Sequence, residues 1–141
     1  IRLIHTFNLL NVMKPRIFVD GGTRGMVIAL SDPQKNRNIM KRRRGATTNN
    51  DLEYLAIIFG IEYINKKYPK IPVTLYSDSR LAVKQINGEY RINGGNLLKL
   101  NNQVQNKLTR YITITWIRRS VNLAGIYLEK KKNYLSRDKS Q

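Results

Sequence analysis

The chain has 141 residues, with 26 Lys+Arg against 9 Asp+Glu, a single His and no Cys, for a formal charge of +17. That surplus calls for a polyanionic partner, nucleic acid ahead of an acidic membrane surface, because clustered Lys and Arg release counterions from phosphates. The length fits one domain, no apolar run approaches the ~20 residues of a membrane span, and the missing Cys and lone His5 exclude disulfides, thiolate metal sites and cysteine nucleophiles and leave little for a Ser-His-Asp scheme.

Residues 1–12, IRLIHTFNLLNV, are apolar and stop just before Met13-Lys14-Pro15. They read as an N-terminal extension packed on the domain or as a poorly ordered leader; no small-residue cleavage site marks a signal peptide. Residues 13–141 read as a single domain. Ile17-Phe18-Val19 predicts a short strand that ends in a turn signal, Asp20-Gly21-Gly22. Met26 to Leu30 predicts a second strand, closed by Ser31-Asp32-Pro33, and Asn38 to Gly45 a third that carries basic residues. Hairpin-like connections make the three antiparallel. From Asn50 to Tyr68 the period is helical: Leu52, Leu55, Ala56, Phe59 and Tyr63 share a spacing, much of the rest is apolar too, and Pro69 ends the run. Val73-Thr74-Leu75-Tyr76 predicts a buried strand, followed by Ser77-Asp78-Ser79 and a short helix from Leu81 to Ile86. Leu97, Leu100, Val104 and Leu108 mark a helical stripe over Asn96 to Leu108. Tyr111 to Ile117 alternates as a strand, and Asn122 to Leu135 predicts a last helix before a polar tail. A helix between the fourth and fifth strands favours a mixed sheet with helices on its faces.

Among so few acids, those flanked by apolar residues stand out. Asp20 ends the first strand, Asp78 the fourth, and Glu53 lies in the first turn of the long helix. If the two strands are parallel neighbours, Asp20 and Asp78 lie side by side, with Glu53 pointing back to the same edge. Three converging carboxylates need a cation, and oxygen ligands favour Mg²⁺ or Mn²⁺. Two such ions would activate a water for attack on a phosphodiester. Each acid also has a plainer reading: Asp20 as a turn former, Glu53 as the partner of Asn50 in a capping box, and Asp78 as the cap of the short helix.

The segments IFVDGG, TTNNDLEYLA, LYSDSRLAVKQINGEY and ITITWIRR combine a strand-end Asp-Gly, a T-N-N-x-x-E run and an S-D-S turn. In that combination the sequence resembles the type 1 ribonuclease H family, in its compact archaeal-like branch, from about Arg16 to Leu128. The resemblance implies an α/β ribonuclease H-like fold, with a five-stranded mixed sheet in the order 3-2-1-4-5 and helices on both faces. It also implies cleavage of the RNA strand of an RNA/DNA hybrid with two Mg²⁺ or Mn²⁺ ions held by Asp20, Glu53 and Asp78. Gly21, Gly22, Asn49 and Asn50 would meet the RNA minor groove, where the 2′-hydroxyls lie, and Thr48 a DNA phosphate. Ser79 and Arg80 would lie near the substrate.

Most members carry a fourth Asp at the start of the last helix; this chain has none there. A gapless match from Trp116 puts Ile126 at that place, and a match with four residues deleted puts Asn122 there. Periodicity favours Asn122: the positions then buried are Val121, Ala124, Gly125 and Leu128, whereas Ile126 as reference would bury Glu129 and Lys132. Leu123, Ile126 and Tyr127 then fall on the usually polar face. Asn122 is expected to offer its carbonyl oxygen as a neutral fourth ligand, or else to act only as an N-cap. Glu129 is the other candidate acid, two turns further on. The loop Arg118-Arg119-Ser120-Val121 lacks the His that many members carry, and Lys41-Arg42-Arg43-Arg44 offers charge for phosphates.

The expectation is an endonuclease for RNA/DNA hybrids that leaves 5′-phosphate and 3′-hydroxyl ends, cytoplasmic, with no protein partner evident. The alternative is a catalytically weakened hybrid-binding module of the same fold. A nuclease for branched DNA is disfavoured by the T-N-N segment.

Overall fold

Strand β1 (Arg16–Gly22) occupies the middle of the sheet, which is why Ile17, Phe18 and Val19 are all buried although they point to alternate faces. The computed structural model describes residues 14–22, 26–45 and 48–139, with 132–139 as backbone alone; the extension expected over 1–12 lies outside them. β2 (Val27–Asp32) and β3 (Arg37–Arg42) follow, then helix α1 (Asn49–Lys67), β4 (Val73–Ser77), α2 (Arg80–Ile86), α3 (Gly95–Lys107), β5 (Ile112–Trp116), a 3₁₀ turn at Arg119–Val121, and α4 (Leu123–Lys139). The five strands lie in the order β3-β2-β1-β4-β5, as expected. β1 is antiparallel to β2 and parallel to β4, and β4 is parallel to β5.

Each face of the sheet carries its own core. On one, Ile17, Val19, Ile28, Leu30 and Leu75 pack with the apolar residues of α1 and with Leu100 and Val104 of α3. On the other, Phe18, Val27 and Ala29 meet Ala124 and Leu128 of α4. α1 is buried on most sides because the sheet and α3 both cover it, in keeping with its near-continuous apolar sequence. Its far end is fastened to β2: the hydroxyls of Tyr63 and Tyr68 donate to Asp32 Oδ2 at 2.7 and 2.8 Å.

Three boundaries differ most from expectation, and β2 also runs on through Ser31 and Asp32, expected as its closing turn. Asp20-Gly21-Gly22 is strand rather than turn, paired with Val27 to Ala29. β3 stops at Arg42, short of Gly45, whose φ of +89° takes the chain out of the extended region. α4 runs to Lys139, past the expected end at Leu135.

The glycine at position 21 serves close approach. A Cβ there would lie 2.6 Å from both the carbonyl carbon and the oxygen of Leu52, backbone atoms that cannot rotate away. Gly21→Ala is therefore expected to cost about 3 kcal/mol and to push the start of α1 off the sheet. Urea unfolding measures this, and a loss under about 0.5 kcal/mol would contradict the contact.

Candidate metal centre

The plainer roles open to the three acids are all filled by other residues or ruled out by position. α1 is capped by Thr48, whose hydroxyl accepts from the Asp51 N–H at 3.1 Å while the Asp51 carboxylate accepts from the Thr48 N–H at 3.2 Å. The capping box is thus Thr48–Asp51, not Asn50–Glu53, and Asn96 of α3 braces it by donating an Nδ2–H to Asp51 Oδ1 at 2.8 Å. α2 is capped by Ser79, which accepts from the Ala82 N–H at 3.2 Å, so Asp78 is not the cap. Asp20 lies inside β1 and forms no turn.

The three carboxyl groups converge. The parallel register sets Val19 opposite Ser77, which places the next residues, Asp20 and Asp78, side by side. α1 brings Glu53 over the same edge, and one carboxylate oxygen from each acid lies within 4.8 Å of the others. Glu53 is 5% exposed, and its Oε2 has no hydrogen-bond partner among the described residues. Burial, then the charges of Asp20 and Asp78, push its pKa up to about 9, against the opposing pull of the Gly21 N–H and Arg119. An orphaned buried oxygen, like charges at close range and an all-oxygen donor set fit a hard divalent cation.

The acids line an open cleft of about 470 Å³ together with Gly21, Gly22, Asn49 and Ser79. Gly21 is buried and Gly22 half-buried, so the more accessible backbone of this pair is that of Gly22. Thr48, Asn49 and Asn50 are exposed at the start of α1, and Arg80 is exposed at the start of α2. Of these, Thr48, Asn50 and Arg80 do not line the cleft itself.

Asn122 is fully buried behind the trio. Its Nδ2 donates to the Val19 carbonyl and to Asp78 Oδ2, both at 3.0 Å, while its Oδ1 accepts from the Ala124 N–H at 3.2 Å. Asn122 is therefore the N-cap of α4, and the group it turns toward the carboxylates is its amide rather than the carbonyl oxygen expected to ligate. Coordination through Oδ1 would need a half-turn of the amide, at the expense of all three bonds. The register chosen for α4 places Ala124 and Leu128 inside and leaves Leu123 and Ile126 at the surface; Val121, expected inside, is 48% exposed because the 3₁₀ turn carries it outward. Asn122→Ala should cost about 2 kcal/mol, since it removes a cap and leaves the Val19 carbonyl without its partner. Thermal and urea unfolding of the metal-free variant give the value, and a native-like result would contradict these bonds.

Four cleft residues stand outside the expected site: Arg119, Gly125, Leu128 and Glu129, the last weighed in the sequence only as an alternative acid. Gly125 faces the acids directly: a Cβ there would sit 3.2 Å from Asp20 Oδ2 and 3.7 Å from Asp78 Oδ2. Arg119 supplies a counter-charge to Glu53, and Glu129 lines the same cleft. The basic run Arg118-Arg119 and the helical offset of four residues between Gly125 and Glu129 were the sequence signals available.

A family model described as reverse transcriptase-like matches residues 19–131. The bifunctional protein Rv2228c of Mycobacterium tuberculosis is 30% identical over an alignment of 120 residues that covers 78% of this chain and 33% of that protein. The chain thus spans about a third of the length of the curated relatives it matches. Among solved structures, the N-terminal RNase H domain of Rv2228c, fused to maltose-binding protein, aligns with a TM-score of 0.64 and 27% identity, covering 77% of this chain and 85% of that one. LC11-RNase H1, isolated from compost and solved in complex with an RNA/DNA hybrid, aligns with a TM-score of 0.67 and 26% identity over 78% of this chain and 89% of that one. No helix among the described residues is long and apolar enough to cross a membrane.

Proposed function

The chain belongs to the reverse transcriptase-like family, in its ribonuclease H branch, and we propose on that premise that it hydrolyses the RNA strand of RNA/DNA hybrids, leaving 5′-phosphate and 3′-hydroxyl ends. The observation that carries the reading is the convergence of Asp20, Glu53 and Asp78 at one edge of the sheet. In this reading the trio holds two Mg²⁺ or Mn²⁺ ions. Held by these three carboxylates, the ions would supply an activated water and charge to offset the leaving 3′-oxygen.

The chain's own residues prepare the site. The Gly21 N–H orients the Glu53 carboxyl, and the Asn122 amide fixes Asp78. Arg119 tempers the negative charge of the cleft. Asn49 and Asn50 present amide groups to 2′-hydroxyls, together with the backbone at Gly21-Gly22, which lines the same cleft as Asn49. Thr48 accepts a bond from Asp51 but keeps its own O–H to donate to a DNA-strand phosphate. Ser79 and Arg80 lie beside Asp78 and meet the substrate there. Lys41, Arg42, Arg43 and Arg44 add phosphate-binding charge without sequence preference. The cytoplasm is the compartment that goes with this reading.

Incubating the chain with labelled hybrid, double-stranded RNA and double-stranded DNA, each with Mg²⁺ or Mn²⁺, tests it. Hybrid alone should be cut. Asn50→Ala should lower hybrid cleavage by about 10-fold while changing duplex-DNA affinity far less, because it removes a sugar contact and no charge. Equal cutting of hybrid and duplex DNA by the native chain would refute the proposal. Hybrid binding without cleavage at any metal concentration would identify a weakened binding module.

A further inference from the structure

Resting on the hybrid-cleavage reading, we infer that Trp116 is a positioning residue that serves two groups at once: it fixes the backbone at Asp78 and holds Arg80 ready for a backbone phosphate of the nucleic acid. Trp116 ends β5 and pairs in parallel register with Ser77. It is 37% exposed and belongs to neither core, so its packing does not account for a residue of this size. Its indole Nε1–H donates to the Asp78 carbonyl at 3.1 Å. Next to it, the Ile117 N–H donates to the Ser77 carbonyl at 2.9 Å, and the Ser79 N–H donates to Ser77 Oγ at 3.1 Å. The turn that carries Asp78 is thereby clamped from the β5 side.

The same indole bears Arg80, whose guanidinium carbon lies 4.5 Å from the ring centroid. Arg80 is exposed and makes no ion pair among the described residues. A guanidinium seated over an aromatic face by its central carbon still has N–H groups to offer, and these match two phosphate oxygens. Stacking also removes much of the side-chain freedom that phosphate binding would otherwise have to restrict. Two residues from Asp78, Arg80 is placed to grip the strand that enters the carboxylate trio.

The two roles separate by substitution. Trp116→Phe keeps a ring under Arg80 but deletes the Nε1–H; Trp116→Leu loses both; Arg80→Gln removes only the cation. Hybrid binding without divalent ion, measured against salt concentration, should lose about 0.9 from its log–log slope in Arg80→Gln and much of that in Trp116→Leu, and should hold the native slope in Trp116→Phe. Calorimetric titration with Mn²⁺ should show affinity lowered by about 5-fold in both Trp116 variants and close to native in Arg80→Gln. In cleavage, Arg80→Gln should act mainly on KM and Trp116→Phe mainly on kcat. A native salt slope in Arg80→Gln or in folded Trp116→Leu overturns the inference, as does native Mn²⁺ affinity in Trp116→Phe. Slope and calorimetry need no turnover. Variants that behave as expected in a chain that cuts nothing would overturn the hydrolysis reading and leave the stack in place.

Discussion

Asp20→Asn is expected to reduce hybrid cleavage by about 10³-fold or more while the fold and hybrid binding persist. Asp20 occupies the hinge of the site. Its neighbour Val19 is fully buried in the core, its neighbour Gly21 touches α1, and its Oδ2 faces the bare Gly125 of α4. The substitution keeps the shape and removes one of three negative charges. The site then lacks the charge to hold its cations, whereas the packing of β1 has no reason to change. The metal-free variant should melt no lower than the native chain, because Asp20 raises the cost of ionising Glu53. Single-turnover cleavage with saturating Mg²⁺ or Mn²⁺ measures the loss. Cleavage at the native rate would remove Asp20 from the chemistry.

Glu53→Gln should separate stability from activity. In the unfolded chain Glu53 ionises near its ordinary value of 4.5; in the folded, metal-free chain, burial first and the two aspartates second push it up to about 9. Between those values the folded state binds the extra proton, so the stability of the metal-free chain falls as pH rises from about 4.5 to about 9. Gln has no proton to lose. In EDTA near pH 8 the variant is expected to be more stable than the native chain by on the order of 3 kcal/mol, an advantage that vanishes below about pH 5. Divalent metal should narrow the gap by favouring the ionised native site, while the variant binds metal weakly and cleaves poorly. Urea unfolding of both chains at several pH values, with and without metal, checks each part. Parallel pH profiles in EDTA would contradict the burial of Glu53.

The sheet order was legible through the family resemblance alone; given that order, the meeting of Asp20 with Asp78 depends on features the sequence displays. These are the two short apolar strands, the long helix between them, and an acid at the end of each. The choice between capping boxes was not legible. Thr48 to Asp51 and Asn50 to Glu53 both satisfy the spacing and both acids are buried; what decides is that Asp51 turns back to Thr48 while Glu53 turns to Asp20 and Asp78. The role of Gly21 was misread for a similar reason. A glycine after an acid signals a turn equally well when its real service is to let Leu52 approach the strand. For Asn122, periodicity chose the residue, but the direction of its amide depends on which neighbours have free acceptors. The Val19 carbonyl and Asp78 supply them from distant parts of the chain. Gly125 and Arg119 escaped notice because a bare backbone and a surface cation carry no signal until a carboxylate is known to face them.

The bonds from Tyr63 and Tyr68 to Asp32 give the far end of α1 a part in the chemistry. A helix rises about 1.5 Å per residue, so Tyr63 grips the sheet about 15 Å along the axis from Glu53. Glu53 rides on a rigid rod whose axial position is set by that anchor and by the capping box at the other end. Slippage by one residue would carry the carboxylate about 1.5 Å, beyond the ~0.5 Å tolerance of a catalytic constellation. Asp32 is wholly buried, touches no substrate and lies outside the cleft, yet it works as the stop against which the rod is aligned. The alignment of this centre is thus held in part from the opposite edge of the domain.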